Sequence, residues 1–176
     1  FGTIANIIIL IAAIAGWGSN KFENSWRKDV KENLVHNSKF TAELLTETDL
    51  QNIPLPVQRY LKYAGVLGKP KVKNMRVVMD VQMRQKGKDF FPATSVQYNF
   101  FDEPARLFYM KGKMFGITVP GYHHYIQKKA VMDIRLFGLF PMVQMAGEEM
   151  SKAETVTLFN DMCLMAPATL IDDRIK

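Results

Sequence analysis

The chain opens on an unbroken apolar run. From Ile4 to Trp17 only Asn6 is polar, and the first charged residue is Lys21. At about 1.5 Å per residue, a helix over residues 1–17 covers roughly 25 Å, close to the ~30 Å hydrocarbon core of a bilayer. The pattern then turns amphipathic: Trp26, Val30 and Leu34 recur every four residues among Lys21, Glu23, Arg27, Lys28, Asp29, Lys31 and Glu32. That spacing predicts a short helix with one buried stripe and a solvated charged face. Thr46 or Thr48, followed by acids, offers a helix start. A second short helix follows, with Pro56 in its first position, an apolar face of Val57, Tyr60, Leu61 and Ala64, and Gly65 at the left-handed C-terminal place. Arg59, Lys62 and Lys69 face outward or lie near its C-terminal end.

From Lys71 the period changes to two. Met75, Val77, Met79, Val81 and Met83 alternate with Arg76, Val78, Asp80, Gln82 and Arg84, which predicts a strand with one apolar and one largely wet face. A turn at Gly87-Lys88-Asp89 precedes a second alternating run through Thr94, Val96, Tyr98 and Phe100, closed by Asp102-Glu103-Pro104. Arg106 to Val119 reads as one long strand, or two broken at Gly112 or Gly116. Tyr122–Gln127 and Ala130–Phe137 supply two more. Gly138 and Pro141 read as an interruption. Ser151-Lys152-Ala153-Glu154 then has the form of a capping box opening a helix through about Met165, ended by Pro167. No internal repeat or low-complexity linker occurs. The predicted fold class is α+β: a curved, half-barrel-like antiparallel meander with packed helices, preceded by an N-terminal transmembrane helix. Its parts are a transmembrane anchor (1–18), a helical linker (19–45) and an α+β domain (46–176). The opening on Phe1 and the stop after Lys176 lead us to expect a fragment, truncated at its C-terminal end.

The 176 residues, 48% hydrophobic and 23% charged, are globular composition and exclude a disordered chain. The apolar run has three readings: a membrane anchor, which Trp17 at the interface favours, a cleaved signal ending in Ala13-Ile14-Ala15, or a buried helix. We expect a single-pass membrane protein. Basic residues follow the run, but orientation depends on both flanks, so the side of the membrane stays open. The net charge of +6 suits an anionic membrane face or a polynucleotide. Lys69, Lys71 and Lys73 near Tyr63, and Lys128 and Lys129 near Tyr125, are basic–aromatic groupings. No RNA-recognition signature accompanies them, and no nucleic-acid partner is expected.

Candidate chemistry is sparse. His123 and His124 are adjacent on a strand and point to opposite faces, so they do not readily ligate one ion, and no metal is expected. Cys163 lies among Met162, Leu164 and Met165 as a buried thiol with no histidine nearby in sequence. No nucleophile elbow, zincin helix, phosphate loop or dinucleotide fingerprint occurs, and no cofactor is expected. Glu148, Glu149, Glu154 and Asp161 are the acids from which a general acid and base would come, though the capping box already accounts for Glu154. All eleven methionines lie after Asn74, with Phe90, Phe91, Phe100, Phe101, Phe108 and Phe115 among them. Methionines beside aromatics make an adaptable apolar surface, either an ordinary core or a site for a ligand such as an acyl chain.

The stretch "LPVQRYLKYAGVLGKPKV", entered through Ile53 and Pro54, resembles a family of bacterial proteins of unknown function, usually with an N-terminal membrane segment. They share an L-P-x-P-V-Q-R-Y-L-x-Y-A-G-x-x-G-x-P motif, here with Ile53 in its first place. Pro56, Gln58, Arg59, Tyr60 and Gly65 are the motif residues. The resemblance extends through "FFDEPARLFY", "RLFGLFPMVQMAGEEMSKAE" and "LMAPATLI". It implies further strands after Lys176 and brings no catalytic residues. The architecture is similar to the half-barrel of lipoprotein carriers, which implies that Met75, Met79, Met83, Phe108, Met110 and Met114 pack under helices or receive an apolar chain. The expectation is therefore a membrane-anchored protein binding a lipid or other apolar ligand, with membrane lipid as its partner. A membrane-associated hydrolase or transferase using Glu148 to Glu154, and a structural scaffold, are the alternatives.

Overall fold

The computed structural model describes residues 2–36, 43–84, 86–114 and 116–175; residues 37–42 of the expected linker, with Phe115 and Lys176, lie outside the described residues. Six strands form one open, curved antiparallel sheet in which chain order is spatial order: β1 (Asn74–Met83), β2 (Phe91–Phe100), β3 (Ala105–Met114), β4 (Ile117–Ile126), β5 (Lys129–Leu136) and β6 (Phe140–Ala146). The predicted α+β meander is thus observed. Two details differ. The chain breaks near Gly116, so that residues 117–126 make one strand, and the segment read as an interruption around Pro141 is β6. Proline cannot donate to a ladder, but β6 is an edge strand, and a register shift beside Ile134 and Arg135 accommodates it.

Helices cover parts of both faces. The first, α1 (Gly2–His36), is a single element in which the apolar run and the amphipathic stretch are continuous. It is long and apolar enough to cross a membrane, and its side chains from Ile4 to Leu10 are exposed. Beyond Trp17 it lies against the sheet and buries Phe22, Trp26 and Val30, an i, i+4, i+8 stripe. Trp26 stacks on Tyr109 at 5.2 Å between centroids and meets Tyr98 at 6.2 Å. The cluster also takes in Phe100, Ala105, Leu107 and Tyr122. Each such side chain contributes about 2 kcal/mol on burial. Leu34, expected on the same stripe, remains 39% exposed.

The other face carries α3 (Glu148–Met165), which buries Glu154, Leu158 and Met162. It starts directly after Gly147, one turn earlier than the expected capping box. Ser151 is therefore inside the helix, where its hydroxyl donates to the Gly147 carbonyl and accepts from the Ala130 amide at 3.0 Å. Glu154 is left free of any capping role. As expected, α3 stops before Pro167, and a 3-10 turn (Pro167–Ile171) follows.

The short α2 (Leu55–Tyr63) joins this layer through Leu61, which is fully buried beside Leu45, Leu50, Phe101, Tyr125 and Leu158. Thr46 caps the 3-10 turn at Glu47–Leu50: its amide donates to the Asp49 carboxylate at 2.7 Å. Pro56 occupies the second helical position of α2, not the first. Gly65 adopts φ +67, the left-handed geometry that a side chain would strain.

Candidate functional site

Strand register lines up the α3-face side chains in rows across the sheet. Met75, Asn99, Arg106, Tyr125 and Ala130 form the row under α3. The next contains Val77, Gln97, Phe108, His123, Met132 and Met145. A third runs Met79, Ser95, Met110, Gly121, Ile134 and Val143. Val81, Ala93, Gly112 and Val119 follow, and Met83–Phe91 and Met114–Ile117 close the face at the hairpins.

The first two rows carry a buried polar network that sequence reading missed. Arg106 is its centre: Nη1 donates to Glu154 Oε2 at 3.2 Å, Nε to Asp161 Oδ2 at 3.0 Å, and Nη2 to Gln97 Oε1 at 2.9 Å. Asp161 Oδ2 also accepts from Gln97 at 2.7 Å and Asn99 at 2.9 Å. Side-chain exposures are 11% for Arg106, 9% for Glu154 and 15% for Asp161. Burial raises the Glu154 carboxyl above its ordinary range and Asp161 adds repulsion, while Arg106 pulls the other way. His123 Nε2 lies 3.5 Å from Glu154 Oε1 without a hydrogen bond. Burial first, then the nearby cation Arg106 and His124, press the His123 imidazole down to about 4, so it is neutral near pH 7.

This arrangement suits fastening better than catalysis. The only buried hydroxyl of the third row, Ser95, is separated from His123 by β3, roughly 10 Å at two strand spacings, too far for a nucleophile and its base. Glu148 and Glu149 are exposed and pair with Lys152, so of the four expected acids only Glu154 and Asp161 face the sheet, and Arg106 ties up both. Gln97 and Asn99 resembled wet-face residues because they alternate with Val96, Tyr98 and Phe100. In fact both faces of β2 are covered here, one by α1 and the other by α3. The Trp26, Val30 stripe ahead of the strands was a signal for one face; α3 is scarcely amphipathic and gave none for the other.

Beyond the network no helix lies on the face, which is apolar apart from Ser95; its small residues Ala93 and Ser95, with Val119, are buried under neighbouring side chains, and its methionines are half-buried or exposed. Of the six expected ligand residues, Met75 packs into the core beneath α3. Met79, Met83, Phe108, Met110 and Met114 share the remaining face and belong to neither packed cluster. Small residues let neighbouring side chains lie flat: a Cβ on Gly112 would sit 3.2 Å from the Phe91 ring, and one on Gly121 would sit 3.3 Å from Ile134. Met83, Ile117 and Val143 remain 37–40% exposed.

His124 projects to the α1 face, into a cleft of about 390 Å³ lined by Lys21, Asp29, Tyr122, Asp133 and Arg135 among others. There the Tyr122 hydroxyl donates to Asp29 at 2.8 Å. Among the described residues no three His, Cys, Asp or Glu side chains converge on a metal position. Lys71 and Lys73 are ion-paired with Asp49 and Asp102. The motif residues act locally: Gln58 Nε2 donates to the Ile53 carbonyl at 2.9 Å, the Tyr60 hydroxyl donates to the Cys163 carbonyl at the end of α3, and Arg59 is exposed. Cys163 is half-buried rather than buried.

Fold and face together define a class: an α+β domain with an open antiparallel sheet, half of one face sealed by a helix over a buried ion network and half left apolar. The chain belongs to the family of unknown function DUF6544, whose model matches residues 43–176. The span begins after α1 and takes in α2, the whole sheet and α3. Neither a curated protein nor a solved structure gives a significant match.

Proposed function

We propose that this domain holds the apolar chain of a lipid against the uncovered half of its sheet, at the surface of the membrane in which residues 2–17 of α1 are anchored. The observation that carries the reading is the set of adjacent apolar rows from Met79 to Ile117, bounded on one side by the Arg106 network and covered by no packed cluster. Exposed apolar faces of this extent mark interaction sites. Methionine at four positions, Met79 and Met83 on β1 and Met110 and Met114 on β3, suits chains of variable shape, because an unbranched thioether repacks readily. The half-barrel lipoprotein carriers supply an analogy of architecture only.

The test uses the full chain in liposomes that contain a phospholipid with a photoactivatable group in its acyl chain. After illumination and proteolysis, we expect adducts on peptides holding Met79 and Met110 as well as on residues 2–17. Met110→Asp, a charge in the middle of the face, should abolish the β3 adduct and leave the circular dichroism spectrum unchanged. Adducts confined to residues 2–17 in the wild-type chain would refute the proposal.

A further inference from the structure

The course of α1 orients the whole sheet. Gly18 lies against Gly138 and Leu139 in the β5–β6 turn, so closely that a Cβ on Gly18 would fall 2.6 Å from the Phe137 carbonyl oxygen. One turn on, Glu23 pairs with Lys111 at 2.6 Å. Trp26 then reaches Tyr109, and Val30 joins the cluster of Phe100, Ala105 and Leu107. The helix thus advances along β3 from its hairpin end toward its start. Residues 2–17 consequently project past the ends where β1 meets β2, β3 meets β4 and β5 meets β6.

Those three ends share a composition. Phe90, Ile117 and Phe140 are exposed by 60%, 40% and 63%. Arg84, Lys86, Lys88 and Lys113 stand around them, and the Arg84 guanidinium lies 4.8 Å over the Phe90 ring. Asp89 is the one acid among the described residues of these three turns. At the opposite end of the sheet Asp102, Glu103, Glu148 and Glu149 stand beside Lys128 and Lys129, with Lys73 paired to Asp102 and Lys152 to Glu148 and Glu149, so the charges there nearly balance. Charge is therefore polarised along the strands, with the basic and aromatic end on the side from which the apolar half of α1 leaves.

We propose that these three hairpin ends seat on the anionic surface of the bilayer that holds α1, with Phe90 and Phe140 in the interface and the Met83–Ile117 edge opening into it. This rests on the reading of residues 2–17 as a membrane segment. Aromatic side chains favour the headgroup level, and basic residues near an anionic leaflet are each favoured by it. The consequence is mechanical: the domain does not swing on a tether, and an acyl chain can pass from bilayer to sheet without crossing water.

Nitroxide labels at positions 8, 90, 128 and 140, one at a time on a Cys163→Ser background, test the arrangement in vesicles of phosphatidylcholine and phosphatidylglycerol. Collision with oxygen and with a water-soluble nickel complex reports depth. We expect labels at 90 and 140 to show an oxygen-to-nickel ratio several-fold above that at 128, and Lys86→Glu with Lys88→Glu to lower it at 90. Ratios at 90 and 140 equal to that at 128, with position 8 embedded, overturn the seating while leaving the membrane segment in place. A water-exposed position 8 overturns both. Hydrogen exchange of the unlabelled chain in the same vesicles gives an independent readout: peptides over 86–91 should be slowed relative to the β4–β5 turn, and equal rates would count against the seating.

Discussion

Arg106 is the one cation inside a network that holds two carboxylates, and Arg106→Met tests what holds α3 to the sheet. The substitution keeps most of the side-chain volume and removes three donors, to Glu154, Asp161 and Gln97. Both acids stay under α3, at 9% and 15% exposure, facing one another without a counter-charge. Breaking a buried pair by deleting one partner costs about 3–5 kcal/mol. We expect a loss of about 4 kcal/mol at pH 8. The sign of its pH dependence follows from the acids. Burial already raises the Glu154 carboxyl, and in the variant Arg106 no longer opposes it, so the folded state binds more protons than the unfolded one and stability falls as pH rises. The deficit should therefore shrink toward pH 5. Urea unfolding of the full chain in mild detergent measures it, followed by the fluorescence of Trp26, which stacks on Tyr109. A companion carrying Arg106→Met, Glu154→Gln and Asp161→Asn should recover most of the loss, because no buried charge remains. A loss below about 1 kcal/mol that does not change with pH would refute the network's role.

Two further outcomes follow from the geometry. Burial presses the His123 imidazole to about 4 in the fold against 6.5 in its ordinary state, so above pH 6.5 both states hold it neutral, and as pH falls to 4 the unfolded chain gains a proton that the fold refuses and stability is progressively lost. Relative to His123→Leu, wild-type stability should drop by about 3 kcal/mol across that window, and parallel pH profiles for the two proteins would disprove the assignment. Gly18→Val places its Cβ against the Leu139 side chain and 2.6 Å from the Phe137 carbonyl oxygen, the latter part of a backbone turn that cannot swing aside. It should loosen α1 from the β5–β6 turn at a cost of about 1–3 kcal/mol, seen as faster proteolysis between α1 and β1; an unchanged digestion rate would show the contact to be slack.

The alternation of Met75 to Met83 and of Thr94 to Phe100 is strong enough to define β1 and β2 by itself, because a period of two has no helical counterpart. The turn glycines do the same for two hairpins. Three features escape that logic. β6 is hidden by Pro141, which excludes a central strand but not an edge. The start of α3 is misplaced because Ser151 and Glu154 have the spacing of a capping box, while their real partners, Ala130 and Arg106, lie on strands distant in sequence. The continuity of α1 is obscured where the apolar run gives way to the amphipathic stretch, which reads as a separate short helix. Gly18 is in fact a contact point, where only the absence of a side chain lets the β5–β6 turn approach. The same limit hides the Arg106 network: each member looks like an ordinary polar residue until the fold brings β2, β3 and α3 together.

The division of the α3 face has a physical consequence for any ligand there. A helix laid on an apolar sheet by hydrophobic contact alone could slide along it, since dispersion and burial are non-directional. The hydrogen bonds at Arg106 and Asp161 have direction, and they set α3 at one position across β2 and β3. Fixing the helix there leaves the remaining rows open instead of letting α3 settle over them. Deep in those rows no charge would meet an acyl chain, and at their inner limit it would meet Phe108, whose ring carries the Arg106 guanidinium at 5.2 Å. For the acyl chain we propose, the network would thus act as a stop as well as a fastener, and the length that fits would be set by the distance from Phe108 to the hairpins. On β3 the six steps from Phe108 to Met114 span roughly 20 Å at strand rise, enough for an acyl chain of about sixteen carbons in extended form.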